Sequence, residues 1–129
     1  MSKSTSISLC CLLAFLLCFT MLCGEQARAE DADTPQTIEF LISAVAQSHL
    51  TFTRNGENHT CDEAASHIRE KYDYFRSKIK SPEDFISLCA TKSLLSGKPY
   101  LVSTEKGTIP VEQWLRQILA EYRKSLDNF

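Results

Sequence analysis

The stretch FTRNGENHTCDEAASHIREK, residues 52–71, decides the fold, because it holds the end of a strand, a tight turn and the start of a helix. Asn55 and Gly56 both tolerate positive φ, and this pair is a strong signal for a hairpin turn. Thr60 and Glu63 have the spacing of a capping box, in which each side chain accepts a hydrogen bond from the backbone N–H of the other. The stretch therefore predicts a strand-to-helix corner with a polar surface.

Outside this corner, apolar residues at helical spacing predict four helices. The first helix is predicted to begin at Thr34 and Pro35, since a capping residue precedes a proline that needs no N–H there. The third is predicted to begin at Ser81 and Pro82, and Gly97 is predicted to cap its end. The four stripes are Ile38, Leu41, Ile42, Val45 and His49; Cys61, Ala65, Ile68, Tyr72, Phe75 and Ile79; Phe85, Ile86 and Cys89; and Val111, Leu115, Ile118, Leu119 and Tyr122.

Two short segments predict strands. Residues 50–54, LTFTR, alternate and contain β-branched residues, and residues 100–104, YLVST, have the composition of a second strand. A turn at Lys106 and Gly107 follows the second strand, and Pro110 opens the last helix. The pattern predicts one compact α+β domain, with four helices packed on one face of a small antiparallel sheet of two or three strands.

The first 29 residues have the pattern of a secretory signal peptide. Lys3 precedes a long apolar run, and Ala27 and Ala29 stand at positions −3 and −1 of a cleavage site before Glu30. The alternative is an uncleaved membrane anchor, although the run ends short of the roughly 20 apolar residues that a bilayer span needs. We therefore expect a periplasmic or secreted protein, with one domain at 30–129 and no stable membrane span after cleavage.

Charge narrows the classes of function. The chain has 14 basic and 16 acidic residues and a net charge of −2; cleavage removes Lys3, Arg28 and Glu25 and moves the net charge to about −3. This balance argues against a nucleic-acid binder and against a polybasic membrane-surface binder.

The stretch SGKPY at 96–100 lacks the first glycine and the hydroxyl residue of a phosphate loop, so we expect no cofactor.

The cysteines leave two alternatives open. Four of the six lie in the signal segment, so Cys61 and Cys89 remain, and a bond between them would stabilise the fold by roughly 3–4 kcal/mol in the chain-entropy model. A helix hairpin that turns near Lys80 would, however, place Cys89 opposite residue 70 rather than 61, too far for a disulfide unless the helices cross steeply. The other alternative is two free, buried thiols.

The titratable residues of the second helix are the candidate site. Glu63, His67 and Lys71 are spaced by four and form one oblique polar row beside the predicted turn. The row is either a recognition surface or a solvated helix face. His59, Cys61 and His67 are not expected to converge on a zinc ion, because Cys61 faces the core. The candidate binding residues are Arg54, Asn55, Gly56, Glu63, His67 and Lys71.

Four motifs follow one another along the chain: Arg54-Asn55-Gly56; Ala64 with His67 and Lys71; Asp84-Phe85-Ile86; and Ser96, Gly97, Pro99 and Tyr100. Their order resembles the pattern of the YfeK-like family of small exported bacterial proteins, a domain of unknown function. The similarity covers about residues 38–122. Many members have one cysteine near the strand before the Asn55-Gly56 turn and another after Pro99-Tyr100. This chain has its cysteines at 61 and 89 instead, so no family disulfide carries over. The resemblance implies export and a single domain, and it supplies no activity.

Together these features predict a non-catalytic binding or accessory protein that uses the 54–71 corner to hold an envelope protein or a small anionic ligand. The alternative is a small envelope hydrolase or transferase in which His67 is the general base and Glu63 orients it. The motifs of serine hydrolases and zinc proteases are absent from the sequence. An enzyme should have a concave pocket at His67, whereas a binding module should have a flatter exposed face.

Overall fold

A computed structural model describes the backbone of residues 26–129 and the side chains of residues 33–129. The predicted signal peptide lies outside these residues except for the backbone of its last part. Residues 33–129 form one compact unit. No helix in the described part of the chain is long and apolar enough to cross a membrane.

The described elements alternate helices with short hairpins. In chain order they are α1 (Gln26–Ala46), β1 (Thr51–Arg54), β2 (Glu57–His59), α2 (Cys61–Phe75), a 3₁₀ turn (Arg76–Lys78), α3 (Pro82–Cys89), β3 (Leu101–Thr104), β4 (Gly107–Pro110) and α4 (Val111–Asp127).

The α+β class with four helices is confirmed, but the sheet has four strands in the order β2-β1-β3-β4, all antiparallel. The prediction of two or three strands missed β2 and β4, because neither has alternating apolar residues. Both are formed by pairing across two-residue turns. In the first turn Asn55 has φ 54° and Gly56 has φ 81°, the left-handed pair of a type I′ turn.

The core lies between one face of the sheet and the helices. Phe52 and Val102 are register partners on β1 and β3 and both are buried. The Phe52 ring meets the Trp114 ring of α4 edge to face, with centroids 5.8 Å apart. The predicted stripes supply most of the rest of the core, which is Ile38, Leu41, Ile42, Val45, Ala65, Ile68, Tyr72, Ile79, Phe85, Ile86, Cys89, Ala90, Tyr100, Val111, Leu115 and Leu119.

The first helix differs from the prediction at both ends. It covers Gln26–Ala46, so Pro35 lies inside it and Thr34 is not its cap. Proline has no backbone N–H, so Pro35 removes one hydrogen bond of the helix. The segment before Pro35 is rich in alanine, a strong helix former, and this favours continuation of the helix towards the N-terminus. His49 was assigned to the apolar stripe, but it is exposed and has φ 55°, because the helix ends before it.

The third helix begins as predicted and ends earlier. The Ser81 hydroxyl accepts a hydrogen bond from the Asp84 N–H at 3.1 Å. The helix stops at Cys89, so the assignment of Gly97 as its cap is wrong. Gly97 has φ 69° and lies within a separate loop, where its N–H donates to the Ser93 carbonyl at 2.9 Å.

Candidate functional site

A cavity of about 490 Å³ lies at the predicted strand-to-helix corner, and we call it the corner cavity. Its walls come from β1, β2 and α2, with one residue before β3 and one from the start of α4. Arg54, Glu63 and His67 line it, whereas the other three predicted site residues do not. The full lining is Phe52, Thr53, Arg54, His59, Asp62, Glu63, Ala64, Ser66, His67, Ile68, Glu70, Tyr100 and Val111.

Arg54 is placed by the end of β1. Residues two apart on a strand share a face, so Arg54 lies on the same side of the sheet as buried Phe52. The register that pairs Thr53 with Leu101 brings the end of β1 beside Tyr100. Arg54 is half-buried, and its guanidinium forms no hydrogen bond or ion pair with another residue in the described part of the chain. It is a cation in a partly enclosed site with no carboxylate attached to it.

His67 contacts Tyr100, and both side chains line the corner cavity. The His67 Nε2 atom lies 3.1 Å from the Tyr100 hydroxyl, and the two rings are nearly perpendicular with centroids 5.9 Å apart. Burial lowers the pKa of His67 below its usual value of 6.5, and the positive charges of Arg54 and Lys71 lower it further. Both causes favour the neutral imidazole at neutral pH, a form that can either accept or donate a hydrogen bond.

Lys71 lies behind Tyr100 and is only 6% exposed. Its ammonium donates to the Lys92 carbonyl at 3.0 Å and to the Tyr100 hydroxyl at 3.4 Å, and lies 5.0 Å from the centre of the Tyr100 ring. Burial lowers the pKa of Lys71, whereas burial raises the pKa of Tyr100. The solvated-face interpretation is therefore wrong for Lys71. This side chain holds Tyr100 and the loop after α3 in place.

Tyr100 is a candidate site residue that residue spacing did not identify. It contacts His67 and Lys71, and its backbone pairs with Thr91 and Val111. The sequence signal for Tyr100 was its place in the family resemblance, together with Ser96, Gly97 and Pro99. That signal identifies the residue but does not give the direction of its side chain.

Asn55 and Gly56 build the corner and do not line the cavity. The Asn55 amide donates to the Ser93 hydroxyl at 3.4 Å, and its oxygen accepts a hydrogen bond from the Ser96 hydroxyl. A Cβ atom at Gly56 would meet nothing within 4 Å, so the glycine is needed for its positive φ and not for space. These two residues connect the turn to the loop after α3.

Glu63 completes the capping box that the sequence predicts. Its carboxylate accepts from the Thr60 N–H at 2.9 Å, and the Thr60 hydroxyl accepts from the Glu63 N–H at 3.2 Å. The same carboxylate lies 3.7 Å from His59 Nδ1. The partner that His67 has in the structure is Tyr100, and not the Glu63 carboxylate that the catalytic alternative requires.

The cysteines are both free thiols in the structure, Cys89 buried and Cys61 half-buried. Burial raises the pKa of Cys89 to about 11, although the nearby Lys71 charge opposes that shift. A thiol with such a pKa is a poor nucleophile at neutral pH. Among the described residues, no group of three histidines, cysteines or carboxylates is placed to hold a metal ion.

Comparison with known proteins gives two findings. The model of a family of unknown function, DUF5329, matches residues 32–123. A Salmonella typhimurium protein named "Uncharacterized protein YfeK" is 38% identical over 92 residues, which are 70% of this chain and 72% of that protein. No solved structure matches the chain.

Proposed function

The chain belongs to the DUF5329 family, whose function is unknown, so we propose a function from its own residues. We propose an exported, non-catalytic protein that binds a small ligand with one anionic group in the corner cavity. Arg54 holds the anionic group, and His67 and Tyr100 supply further polar contacts.

The observation that carries this proposal is the unpaired guanidinium of Arg54. Arginine matches carboxylate and phosphate groups with two parallel N–H bonds, and it is the residue that proteins use where this geometry matters. Asp62, Glu63 and Glu70 line the same cavity, yet none of them forms an ion pair with Arg54. The guanidinium is thus held in a recess with its donors available for an external anion.

The rest of the lining restricts the ligand further. Phe52, Ile68 and Val111 supply an apolar part that suits a hydrocarbon or aromatic body. The three cavity carboxylates would repel a second negative charge, so a monoanion fits better than a polyanion. The sequence left an envelope protein and a small ligand open as partners. The concave shape favours the small ligand, since protein partners are usually bound on flatter surfaces.

Benzoate is a suitable probe, because it joins one carboxylate to an apolar ring. We expect benzoate to shift the amide NMR signals of cavity residues in the chain 30–129, which contains the whole compact unit. Arg54→Gln should weaken this binding about tenfold to a hundredfold, the effect of losing charge-assisted hydrogen bonds. Titration followed by ¹H–¹⁵N spectra measures the dissociation constant.

Two controls accompany this titration. Arg116→Gln removes an exposed arginine of α4 that pairs with Glu112 outside the cavity, and it should bind benzoate as the wild type does. Benzyl alcohol, which has the ring without the charge, should bind weakly to every variant. Equal affinity of Arg54→Gln and wild type for benzoate would contradict the proposal.

Export is the second part of the proposal, and its support is the signal pattern of the first 29 residues. When the full chain is expressed in a Gram-negative bacterium, the protein recovered from the periplasm should begin at Glu30. Intact-mass spectrometry measures this start directly. A full-length chain that stays with the membrane fraction would show instead that the apolar segment is an uncleaved anchor.

Catalysis is the second candidate function, and the concave cavity at His67 is the observation that favours it. A neutral imidazole in a recess can act as a general base. Its orienting partner would be Tyr100, because the Glu63 carboxylate is engaged with Thr60. Hydrolysis of phenyl acetate by the wild type, lost in His67→Gln, would favour this candidate, whereas binding of benzoate without turnover of the ester supports the binding protein.

A further inference from the structure

The loop between α3 and β3 exposes two adjacent leucines. Leu94 is 64% exposed and Leu95 is 97% exposed. Single exposed apolar residues are ordinary on protein surfaces. Two exposed leucines that are adjacent in one loop form an apolar patch, and exposed apolar patches mark places where proteins contact other apolar surfaces.

This loop has a fixed internal structure. The Ser93 N–H donates to the Lys98 carbonyl at 3.0 Å, and the Gly97 N–H donates to the Ser93 carbonyl at 2.9 Å. The Ser93 hydroxyl also accepts from the backbone N–H groups of Leu95 and Ser96, at 3.3 and 3.4 Å. The leucines are therefore presented on an ordered turn, so little backbone freedom would be lost when they contact a partner.

The base of the loop is tied to the corner. Lys92 and Pro99 form an isolated antiparallel bridge, and the Lys71 ammonium donates to the Lys92 carbonyl at 3.0 Å. Asn55 bonds to the Ser93 hydroxyl from the other side. The unusual burial of Lys71 thus has a structural consequence, because it fixes the base from which the leucines project.

The loop itself carries charge of one sign. From residue 85 to residue 104 the chain has no aspartate or glutamate, and its only charges are Lys92 and Lys98, which flank the leucines. The chain as a whole is slightly acidic, with a net charge of −2. The two exposed lysines beside the leucines would complement a negatively charged surface at that point.

We propose that Leu94 and Leu95 insert into the interface of a lipid bilayer that contains anionic lipids, with Lys92 and Lys98 at the level of the headgroups. A fluid interface accepts two adjacent side chains without a matched pocket, and apolar insertion combined with basic residues is the usual basis of peripheral membrane binding. The inference concerns a surface that the corner cavity does not include, and it does not depend on the proposed ligand.

Vesicle sedimentation tests this proposal with residues 30–129, since the apolar N-terminal segment would itself bind lipid. The wild type should sediment with vesicles of phosphatidylcholine and phosphatidylglycerol. Leu94→Ser with Leu95→Ser should weaken partition about tenfold or more, because two leucine side chains are withheld from the interface. Lys92→Gln with Lys98→Gln should weaken it about tenfold and make it less sensitive to salt.

The matched control is Tyr74→Ser with Phe129→Ser, which removes two other exposed apolar side chains, 77% and 110% exposed. It should bind vesicles as the wild type does. Insertion itself is measured with Leu95→Trp, whose fluorescence should be quenched by lipids brominated in their acyl chains. Leu126→Trp, near the end of α4, should not be quenched.

Four results would overturn the proposal or its lipid specificity. One is failure of the wild type to bind vesicles with or without phosphatidylglycerol. Another is binding of the Leu94→Ser, Leu95→Ser variant as strong as that of the wild type. The third is a photo-cross-linker at Leu95 that captures an envelope protein and no lipid when both are present, which would replace the bilayer by a protein partner. Equal binding to vesicles of phosphatidylcholine alone would overturn the role of the anionic lipids.

Discussion

Replacing Tyr100 by alanine is expected to lower the free energy of unfolding by about 3–5 kcal/mol, as for other buried aromatic residues. Tyr100 is 7% exposed, and its ring lies under the Lys71 ammonium. Its hydroxyl contacts both His67 and Lys71. The substitution would therefore leave a void, a buried ammonium with one partner fewer and an open wall in the corner cavity.

Denaturant unfolding monitored by circular dichroism measures this loss. Tyr74→Ala is the matched control, since Tyr74 is 77% exposed and its truncation should change stability by about 0.5 kcal/mol or less. Tyr100→Phe keeps the ring and removes only the hydroxyl, so about 1–3 kcal/mol should be lost. If Tyr100→Ala and Tyr74→Ala were equally stable, Tyr100 would not be the centre of this network.

Replacing Lys71 by glutamate is expected to lower the free energy of unfolding by about 3–5 kcal/mol, the range found when a buried charge is left uncompensated. The new carboxylate would face the Lys92 carbonyl, which can only accept hydrogen bonds, in a site that is 6% exposed. Lys71→Met keeps the length of the side chain without any charge, so its cost should be smaller, about 1–3 kcal/mol for the carbonyl left without a donor.

The pH dependence distinguishes a buried charge from general damage to the core. Burial would raise the folded-state pKa of the new carboxyl above its unfolded value of about 4.3. The folded state would then bind the proton more tightly than the unfolded state. The loss of unfolding free energy relative to the wild type should therefore shrink as the pH falls towards about 4.3 and grow as the pH rises. Lys106→Glu, in the exposed turn before β4, is the control and should be nearly neutral. A pH-independent deficit would contradict the interpretation.

Much of the local structure follows from residues three or four positions apart. The capping box at Thr60 and Glu63 needs only those two side chains and the first turn of a helix, and it forms as predicted. The turn at Asn55 and Gly56 depends on two residues that accept positive φ. The apolar stripes indicated which helix faces are buried, because burial repeats with the period of the helix.

Signals that depend on distant partners were less informative. β2 and β4 are polar and short, so they exist only because β1 and β3 offer edges for pairing. Proline often stands at the start of a helix, but the alanine-rich segment before Pro35 extends this helix towards the N-terminus. Gly97 resembles a helix cap and instead serves a loop whose hydrogen bonds join residues 93–98.

The sequence by itself determined the four helices, the hairpin turn and the capped corner, since each depends on backbone hydrogen bonds between near neighbours. It also indicated Arg54, His67 and Lys71 as one candidate set. Only the tertiary structure decided the surroundings of these side chains, because Tyr100, which contacts two of them, lies 33 residues from His67 and 29 from Lys71. The pairing of β1 with β3 brings Tyr100 to α2, and packing there buries Lys71 and leaves the Arg54 guanidinium facing an open cavity.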